Sequence, residues 1–390
     1  MVIVNIAPNS PYNDYWGYQD NLLPKYQMKL GHEVTLITTC MTHRDGEIVE
    51  TEPNDYRLND GMRVVRLRYR RYPLNVLTRL LSRLAVYPLL KTIHPDFIFY
   101  HGLISSTIFD VIKYVRRDNP DCVVVQDNHL DYNIGSHSTG LKKLLGRGYF
   151  RFINRISNPY VARVYGVTPW RKTYAEDYFR IPANKTDVLI MGADDEMIDF
   201  ANRERIRADI REQYGFADGD FVVVTGGKID ANKRITLLME ACRSLKGVKL
   251  LVFGAVKDDV KAEFDALLAA SDNIVSVGWI KSDRVYDYFF AADLVVFPGQ
   301  HSVLWEQACA SKVPCVFEKW DGMDHVNNGG NSDFVSPVTA ETLRAKIEEL
   351  LFTEKYERMK EAAASEKTDI YLYSKIAEKS LECAGGAATC

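Results

Sequence analysis

Short apolar runs rich in β-branched residues alternate along the chain with helix-length amphipathic segments. The first series is VIVNIAP, HEVTLITT, RVVRLRY, FIFYHG and CVVVQD, and the pattern restarts with FVVVTGG, KLLVFGA, IVSVGW, LVVFPG and PCVFEKW. Apolar strands that alternate with helices are typical of parallel sheets covered by helices on both faces. The sequence therefore predicts an α/β protein with two doubly wound parallel-sheet domains that face each other across a cleft.

The two series are separated by VLIMGADDEMIDFANRERIRADIREQYGF, which indicates a linker and a charged surface helix. We place the domain boundary there, so that the first domain covers residues 1–195 and the second covers residues 196–365. Residues 366–390 are predicted to form a last helix and a frayed tail. In open parallel sheets, ligands bind beyond the carboxyl ends of the strands, so the loops after the strands are the candidate sites.

Composition excludes several classes of protein. The chain has 390 residues with 46% hydrophobic and 26% charged residues, as expected of two globular domains, and a net charge of -3 that does not favour nucleic acid. Seven cysteines without a CxxC pair fit neither a disulfide framework nor a zinc site. The start MVIVNIAPN is not typical of a signal peptide. We expect a cytoplasmic protein, free or peripheral on the inner face of the membrane.

One stretch departs from the even charge distribution. Residues Arg63–Lys91 contain eight Lys/Arg and no Asp/Glu, and the part LTRLLSRLAVYPLL has helical, amphipathic spacing. Such a segment fits contact with an anionic membrane surface. A core-facing helix with solvated arginines fits equally well, and the sequence leaves both interpretations open.

The loop after FVVVTGG contains candidates for anion binding. Gly227 allows the backbone to turn sharply and approach a ligand. Lys228 and Lys233 flank this turn at a helix start, where free amides already favour an anion. We predict a diphosphate site, with an ordinary solvated turn as the alternative.

The segment FPGQHSVLWEQACASKVPCVF places a single acid, Glu306, in the first turn of an apolar helix. A carboxylate there is mildly favoured by the helix dipole. Burying it without partners is costly, however, and a ribose diol offers two donors to one carboxylate. We predict ribose recognition by Glu306. The free amides of the preceding turn, at His301, Ser302, Val303 and Leu304, are predicted to contribute to donor binding by holding negative charge. Gly278, Trp279 and Ile280 follow another strand, where a nucleobase can stack, although Trp279 also fits core packing.

In the first half, the strand CVVVQD leads into a loop with four polar candidates: Asp127, His129, Asp131 and Tyr132. Histidine is the usual side chain for chemistry near neutral pH, and a structural histidine is the alternative. Gly17 follows the first strand and allows close approach to a phosphate. The motif DGD before FVVVTGG lies at the entry end of a strand, so we reject it as a metal site.

These motifs resemble the retaining, nucleotide-sugar-dependent glycosyltransferases of family 4, whose GT-B fold has two Rossmann-like domains. The likeness covers nearly the whole chain. GHEVTLIT is similar to the family's first βαβ unit, IPANKTDVLIMGADDEMI to its entry into the second domain, GGKIDANKRITLLMEA to vGRl...Kg...ll.A, YDYFFAADLVVFPG to y..aDl.v.Ps, and SVLWEQACASKVPCV to gl...EAma.G.PVv.

The resemblance implies a role for each candidate. Lys228 and Lys233 bind the donor diphosphate, Glu306 binds the ribose, and His129 faces the donor sugar, so His129 and the two lysines are the expected catalytic residues. Gly17 falls at the family's phosphate loop. The resemblance also implies an acceptor-side first domain, a donor-binding second domain and a last helix that returns to the first domain.

The chain departs from the family pattern in two places. The family usually carries two glutamates in E-x7-E, and the first place holds Pro298 here, so Gln300, His301 or Ser302 is expected to substitute. The motif WGYQ also lacks the family's double glycine. Recognition of the nucleotide is therefore predicted more directly than recognition of the sugar.

The activity implied is transfer of a sugar from a UDP- or GDP-linked donor to a hydroxyl of a saccharide or lipid-linked saccharide. It is expected to retain the anomeric configuration, to need no metal or cofactor, and to serve cell-surface polysaccharide or glycolipid assembly. Two alternatives stay open: a nucleotide-sugar epimerase of the same fold, and a non-catalytic binding or scaffold subunit.

Overall fold

The computed structural model describes residues 1–73, 81, 83–132 and 140–385, with the backbone alone at residues 140–143 and 145. The chain forms two compact units. The first contains Met1–Ile190 and Ile376–Cys390, and the second contains Met191–Lys375. Each unit is built on its own sheet.

The first unit contains an eight-stranded sheet in the order β10-β9-β8-β7-β1-β2-β6-β5. All neighbouring strands are parallel except β5, which is antiparallel to β6. The strands are β1 (Val2–Ala7), β2 (Glu33–Thr39), β5 (Asn54–Arg57), β6 (Arg63–Leu67), β7 (Phe97–His101), β8 (Val123–Asn128), β9 (Arg163–Gly166) and β10 (Thr186–Val188), with a separate hairpin of β3 (Met41–Arg44) and β4 (Glu47–Glu50).

Helices cover this sheet because their apolar sides pack on its β-branched strands. Val4, Ile98 and Val124 of the strands share one core cluster with Val111 and Ile153 of the helices. The described helices are α1 (Gln19–Lys29), α2 (Tyr87–Ile93), α3 (Ile108–Arg117), α4 (Gly140–Ser157) and α5 (Pro169–Tyr174). The start of α5 is set by Thr168, whose side chain accepts a hydrogen bond from the Arg171 amide.

The second unit contains a six-stranded, wholly parallel sheet in the order β13-β12-β11-β14-β15-β16. Its strands are β11 (Phe221–Ile229), β12 (Val248–Val256), β13 (Ile274–Gly278), β14 (Leu294–Phe297), β15 (Cys315–Glu318) and β16 (Ser332–Val335). Its helices are α6 (Arg203–Gln213), α7 (Ile235–Cys242), α8 (Asp258–Ala269), α9 (Val285–Ala291), α10 (Leu304–Ala310), α11 (Ala340–Leu350) and α12 (Glu354–Ala364). The last helix, α13 (Tyr373–Ser380), begins in the second unit and continues into the part of the chain that belongs to the first.

Each sheet has a point where the direction of chain progression reverses. In the first unit this point lies between β1 and β7, and in the second it lies between β11 and β14. Ligands of doubly wound sheets bind beyond the carboxyl ends of the strands at such a point. The doubly wound architecture predicted from the sequence is therefore present in each unit, and it locates one candidate site in each.

The basic stretch Arg63–Lys91, for which the sequence leaves a membrane-facing and a core-facing interpretation open, is described only in part. Residues 63–67 are an interior strand, and residues 74–80 and 82, including Arg79, lie outside the described residues. The other cations are largely neutralised because carboxylates from neighbouring elements pair with them: Arg63 with Asp55, Arg66 with Asp14, Arg68 with Glu50 and Glu52, Arg83 with Asp110, and Lys91 with Asp118.

Two further sequence expectations can be compared with the structure. Among the six cysteines in the described residues, five are free and buried, whereas Cys383 is disulfide-bonded, which the cysteine spacing did not predict. Within the described ranges, no helix has the length and apolar character needed to cross a bilayer.

Candidate functional site

Close backbone approach shapes the ligand-binding edge of the second unit. Gly227, in β11, has φ +108°, and a Cβ there would lie 2.7 Å from the Leu304 Cδ1 at the start of α10. Gly254, in β12, has φ +126°, and its Cβ would lie 1.8 Å from the Gly227 carbonyl oxygen. Only glycine adopts such positive φ angles without strain and has no Cβ to collide with these neighbours. The two glycines therefore keep the edge between β11, β12 and α10 open.

A cavity of about 440 Å³ opens at this edge, a size typical of small-molecule sites. Several of the predicted donor-site residues line it: Gly227, Lys228, Trp279, Ile280 and Leu304. Lys257 and Lys281 also line it, and no carboxylate does among the described residues. Trp279 is 72% exposed, so its ring is not core packing. Cations beside an exposed aromatic surface suit a nucleotide.

The two predicted phosphate lysines have different surroundings. Lys228 is largely exposed beside the cavity, and its Nζ lies 2.8 Å from Asp230, which raises the pKa of Lys228. Lys233 does not line the cavity. Its Nζ donates to the backbone carbonyls of Gln300 at 2.5 Å and His301 at 3.1 Å. These two hydrogen bonds anchor the loop after β14. Burial lowers the pKa of Lys233 to about 8.

Glu306 is fully buried and does not line the cavity. Its Oε1 accepts hydrogen bonds from the Nε2 atoms of His301 and His325, at 2.8 Å each, and its Oε2 has no partner among the described residues. Burial raises the pKa of Glu306, but the two histidines outweigh this effect and hold it at about 2. An ionised carboxylate only accepts, so both histidines donate from Nε2.

Gln307, the residue after Glu306, lines the cavity. Successive helical residues point about 100° apart, and α10 directs Glu306 toward its two histidines and Gln307 toward the opening. The structure thus presents an amide to a ligand where the sequence predicts the Glu306 carboxylate. Of the predicted amide turn, only Leu304 lines the cavity, whereas His301, Ser302 and Val303 do not, and neither does Gly278.

A polar cluster occupies the corresponding edge of the first unit. Asp127, near the end of β8, is fully buried. Its Oδ2 accepts hydrogen bonds from His101 Nδ1 at 2.8 Å, His129 Nε2 at 3.2 Å and Gln19 Nε2 at 3.4 Å. Its Oδ1 accepts from the Gly102 amide at 2.8 Å. Asp127 therefore holds the predicted His129 in place, and His129 remains 39% exposed.

The electrostatics of this cluster favour a charged pair. Burial alone raises the pKa of Asp127, but His101 and His129 outweigh it and hold the pKa well below the usual range of a carboxyl. Burial likewise lowers the pKa of His101, but Asp127 and Asp20 outweigh it and raise the pKa overall. Sequence reasoning did not select His101 as a site residue, although its position at the end of a buried apolar strand could be read from the sequence.

The other candidates of the first unit lie outside this cluster. Asp131 is buried and accepts a hydrogen bond from Arg171 Nε at 3.3 Å. The Tyr132 hydroxyl donates to Asp177 Oδ2 at 2.6 Å, and burial together with Asp177 raises the pKa of Tyr132 to about 12. Gly17 has open space around it. These contacts give Asp131 and Tyr132 evident structural partners.

A larger cavity in the first unit, of about 550 Å³, is lined by Val123 and Ala162 at the starts of β8 and β9. It lies at the amino-terminal edge of the sheet, away from the edge where such sheets bind ligands. We assign it no ligand for this reason.

Comparison with protein families identifies the chain. The model described as "Glycosyltransferase Family 4" matches residues 23–196, and the model described as "Glycosyl transferases group 1" matches residues 206–366. The chain belongs to glycosyltransferase family 4. The two sheets correspond to the two Rossmann-like domains of its GT-B fold, as the resemblance implied.

Solved structures share the fold of this family 4 glycosyltransferase over nearly its whole length. A glycosyltransferase from Rickettsia africae has a TM-score of 0.70 at 16% identity, covering 99% of this chain and 98% of the other. Anabaena HepE in complex with UDP and glucose has a TM-score of 0.62 at 14% identity, covering 99% and 100%. At these identities the likeness shows the fold alone.

A relative of defined activity matches part of the chain. Lipopolysaccharide 1,2-N-acetylglucosaminetransferase from Salmonella typhimurium is 24% identical over 198 residues. The match covers 44% of this chain and 50% of that protein, so the chain spans about half the length of this relative.

The family pattern contained a signal for Gln307. In EAma.G.P the glutamate stands seven residues before the proline, and the residue seven before Pro314 is Gln307. This glycosyltransferase therefore has an amide at the place of the family's second glutamate. Counted back from Gln307, the first glutamate of E-x7-E falls at Gly299. Gln300, His301 and Ser302 do not line this cavity, and their substitution for the first glutamate stays a prediction.

Two groups in the described residues bring metal-binding atoms together: His101, Asp127 and His129, and His301, Glu306 and His325. In both, each histidine nitrogen lies 2.8–3.2 Å from the carboxylate, which is hydrogen-bond distance. Direct hydrogen bonds thus account for both groups, and independence from metal stays a prediction.

Proposed function

We propose that the protein transfers a sugar from a nucleotide diphosphate donor, linked to UDP or GDP, to a hydroxyl of an acceptor. The observation that carries the proposal is the cavity at the edge of β11, where Lys228, Trp279 and Gln307 surround one opening. Trp279 offers a surface for the base, Gln307 faces the place of the ribose, and Lys228 suits the diphosphate.

The proposed chemistry depends on stabilising the leaving diphosphate. Preorganised positive charge acts most strongly where negative charge develops in the transition state. Lys228 supplies such charge at the cavity, while Lys233 holds the loop after β14 through two carbonyls. His129 is proposed to contact the donor sugar, with its ring held by Asp127. We propose that the reaction retains the anomeric configuration and needs no metal.

The acceptor is proposed to be a saccharide or lipid-linked saccharide used in cell-surface polysaccharide or glycolipid assembly on the cytoplasmic side. Partial similarity to the lipopolysaccharide-forming enzyme of Salmonella typhimurium supports this choice. Incubating the protein with radiolabelled donor and membrane lipid extracts tests it, since transfer should yield labelled lipid.

Thermal unfolding with UDP, GDP, ADP, CMP and NAD tests the donor site. A nucleotide at about 100 times its Kd should stabilise the protein by about 2.7 kcal/mol. We expect this shift with UDP or GDP, and not with ADP, CMP or NAD. Lys228→Ala and Gln307→Ala should each reduce the shift. Lys261→Ala, an exposed lysine of α8 paired with Asp265, is the matched control. No shift with any nucleotide would contradict the proposal and favour a scaffold role.

The epimerase alternative uses the cluster around Asp127 as an acid–base group. Product analysis separates it from transfer. A transferase releases one nucleoside diphosphate for each acceptor molecule that it glycosylates. An epimerase converts the nucleotide sugar without any acceptor, and no glycosylated product accompanies the reaction.

A further inference from the structure

The side-chain amide of Gln307 is left for a ligand. Gln307 is half-buried in α10 and lines the cavity at the edge of β11. Its backbone belongs to the helix, since its N–H donates to the Val303 carbonyl and its carbonyl accepts from the Ser311 hydroxyl. Within the described ranges, its side chain makes no hydrogen bond to another residue. The amide oxygen and nitrogen are therefore both available in the cavity.

The neighbouring carboxylate does not reach the same place. Glu306 is fully buried, and its Oε1 already accepts from His301 and His325 at 2.8 Å each. Bringing Glu306 to the cavity would break both hydrogen bonds and rotate α10 by about 100°. The helix therefore presents an amide to the cavity and keeps its carboxylate away from it.

The side chains around the cavity donate more hydrogen bonds than they accept. Lys228, Lys257 and Lys281 have donors only, and no carboxylate lines the cavity among the described residues. The side-chain acceptors in the lining are the neutral oxygens of Gln307 and Ser282. A hydroxyl binds most strongly to a charged acceptor. The described side chains of this cavity thus offer no charged acceptor to the diol of a ribose.

We propose that the donor site accepts 2′-deoxyribonucleoside diphosphates nearly as well as ribonucleoside diphosphates, and that Gln307 sets this tolerance. The inference rests on the proposed function, in which Gln307 faces the ribose. A carboxylate has acceptors only, so it is best satisfied by the two hydroxyls of a ribose. An amide has one acceptor oxygen and one donating nitrogen, so a single hydroxyl satisfies its oxygen. Donors linked to deoxynucleotides thereby join the expected substrates.

The size of the effect follows from the charge and burial of the group that binds the hydroxyl. A hydrogen bond to a charged group contributes about tenfold to a hundredfold in affinity, and a neutral one about fivefold. Strong rejection of an analogue without the hydroxyl requires a buried polar group that is left unpaired. Gln307 is neutral and only half-buried, so water replaces the missing hydroxyl. The loss should be about fivefold or less.

Isothermal titration with two matched nucleotide pairs tests the inference: UDP with dUDP, and GDP with dGDP. The members of each pair differ by one hydroxyl and share the diphosphate, so the ratio of their Kd values cancels any effect of a variant on the diphosphate. In the unmodified chain we expect a ratio of about five or less for the pair that binds. Gln307→Glu should raise the ratio to about ten or more, and Gln307→Ala should bring it to about one.

Gln213→Glu is the matched control. Gln213 is exposed at the end of α6 and does not line the cavity, so this variant gains the same charge and should keep the ratio of the unmodified chain. Circular dichroism verifies that each variant is folded.

The outcomes separate this inference from the proposed function. A deoxynucleotide that binds the unmodified chain more than about tenfold more weakly than its ribonucleotide would overturn the inference alone, because the donor site still binds nucleotide. An equal ratio in the unmodified chain, Gln307→Glu and Gln307→Ala would also overturn it, since another group would then read the hydroxyl. Failure of all four nucleotides to bind would overturn the proposed function and this inference together.

Discussion

Glu306 and Gln307 are neighbours in α10 that serve opposite sides of the helix. Glu306 is fully buried between His301 and His325, whereas Gln307 lines the cavity at the edge of β11. Glu306 therefore holds the loop after β14 in place through His301, and the Gln307 amide is available to a ligand in the cavity. Two adjacent polar residues thus separate into a structural and a ligand-facing role.

The first prediction concerns Gln307. Replacing it with alanine removes a hydrogen-bonding group from the cavity, and we expect nucleotide affinity to fall by about fivefold because one neutral hydrogen bond contributes about 1 kcal/mol. Gln307→Glu restores the carboxylate of the family pattern and should bind at least as tightly as the unmodified chain. Isothermal titration with UDP and GDP measures both. An unchanged Kd in Gln307→Ala would place the ribose elsewhere.

The second prediction concerns the stability contributed by Glu306. Glu306→Ala leaves the Nε2 donors of His301 and His325 without their acceptor, and breaking a pair that holds such a buried charge costs about 3 kcal/mol. Urea unfolding at neutral pH should show this loss. Glu306→Gln keeps the shape and an acceptor oxygen, so its loss should be smaller. Equal stability of all three proteins would show that the histidines find other partners.

The pH dependence of the same group has a defined sign. The pKa of Glu306 is held at about 2, below its ordinary value of 4.5. A lowered carboxyl pKa contributes stability above the unfolded value and loses it as pH falls toward the folded value. Between pH 4.5 and 2, the unmodified chain should therefore lose stability more steeply than Glu306→Gln does.

The third prediction uses the lowered pKa of Lys233. With a pKa of about 8, this lysine is partly neutral in the free protein above that pH. Lys233 does not line the cavity, but the charge of Lys228, which does, helps to lower the pKa of Lys233. A diphosphate bound at Lys228 should therefore raise the pKa of Lys233, and we expect nucleotide binding at pH 8.5 to take up protons. Titration calorimetry in buffers of different ionisation enthalpy measures the uptake. Lys233→Met should abolish the uptake.

Lys228 provides the matched comparison. Its pKa is raised by Asp230, so it is charged across this range. Lys228→Met should weaken binding at every pH, and it should reduce but not abolish the proton uptake, because the charge of Lys228 helps to lower the pKa of Lys233. Uptake that persists in Lys233→Met would assign the titration to another group.

The fold was largely predictable because buried parallel strands have a strong pattern. Runs such as FVVVTGG and LVVFPG are continuous and β-branched, and they became β11 and β14. The clustering of Lys228 and Trp279 beside Gly227 was also predictable, since strand ends of a parallel sheet meet at one edge.

The roles of individual side chains were less predictable. Whether Glu306 or Gln307 faces a ligand depends on the rotation of α10, and one residue changes the direction of a side chain by about 100°. The neutralisation of Arg63–Lys91 depended on carboxylates such as Asp14 and Asp110, which are distant in sequence from the arginines that they pair with. No local pattern contains such contacts.

The last prediction concerns His101 and Asp127. The pKa of His101 is raised because Asp127 and Asp20 outweigh the effect of burial. A raised histidine pKa contributes stability below the unfolded value of about 6.5 and loses it as pH rises through the folded value. Asp127→Asn should therefore lower the free energy of unfolding by about 3 kcal/mol at pH 6, and the deficit should shrink as pH rises.

Nuclear magnetic resonance of the histidine rings gives the direct measurement. In Asp127→Asn burial still acts on His101 while the main opposing charge is gone, so its pKa should fall below the ordinary value. Asp131→Asn is the control, since Asp131 pairs with Arg171 outside the cluster, and it should leave His101 unchanged. If His101 titrates at its ordinary pKa in all three proteins, Asp127 does not hold it as a charged pair, and the ordering of His129 must have another cause.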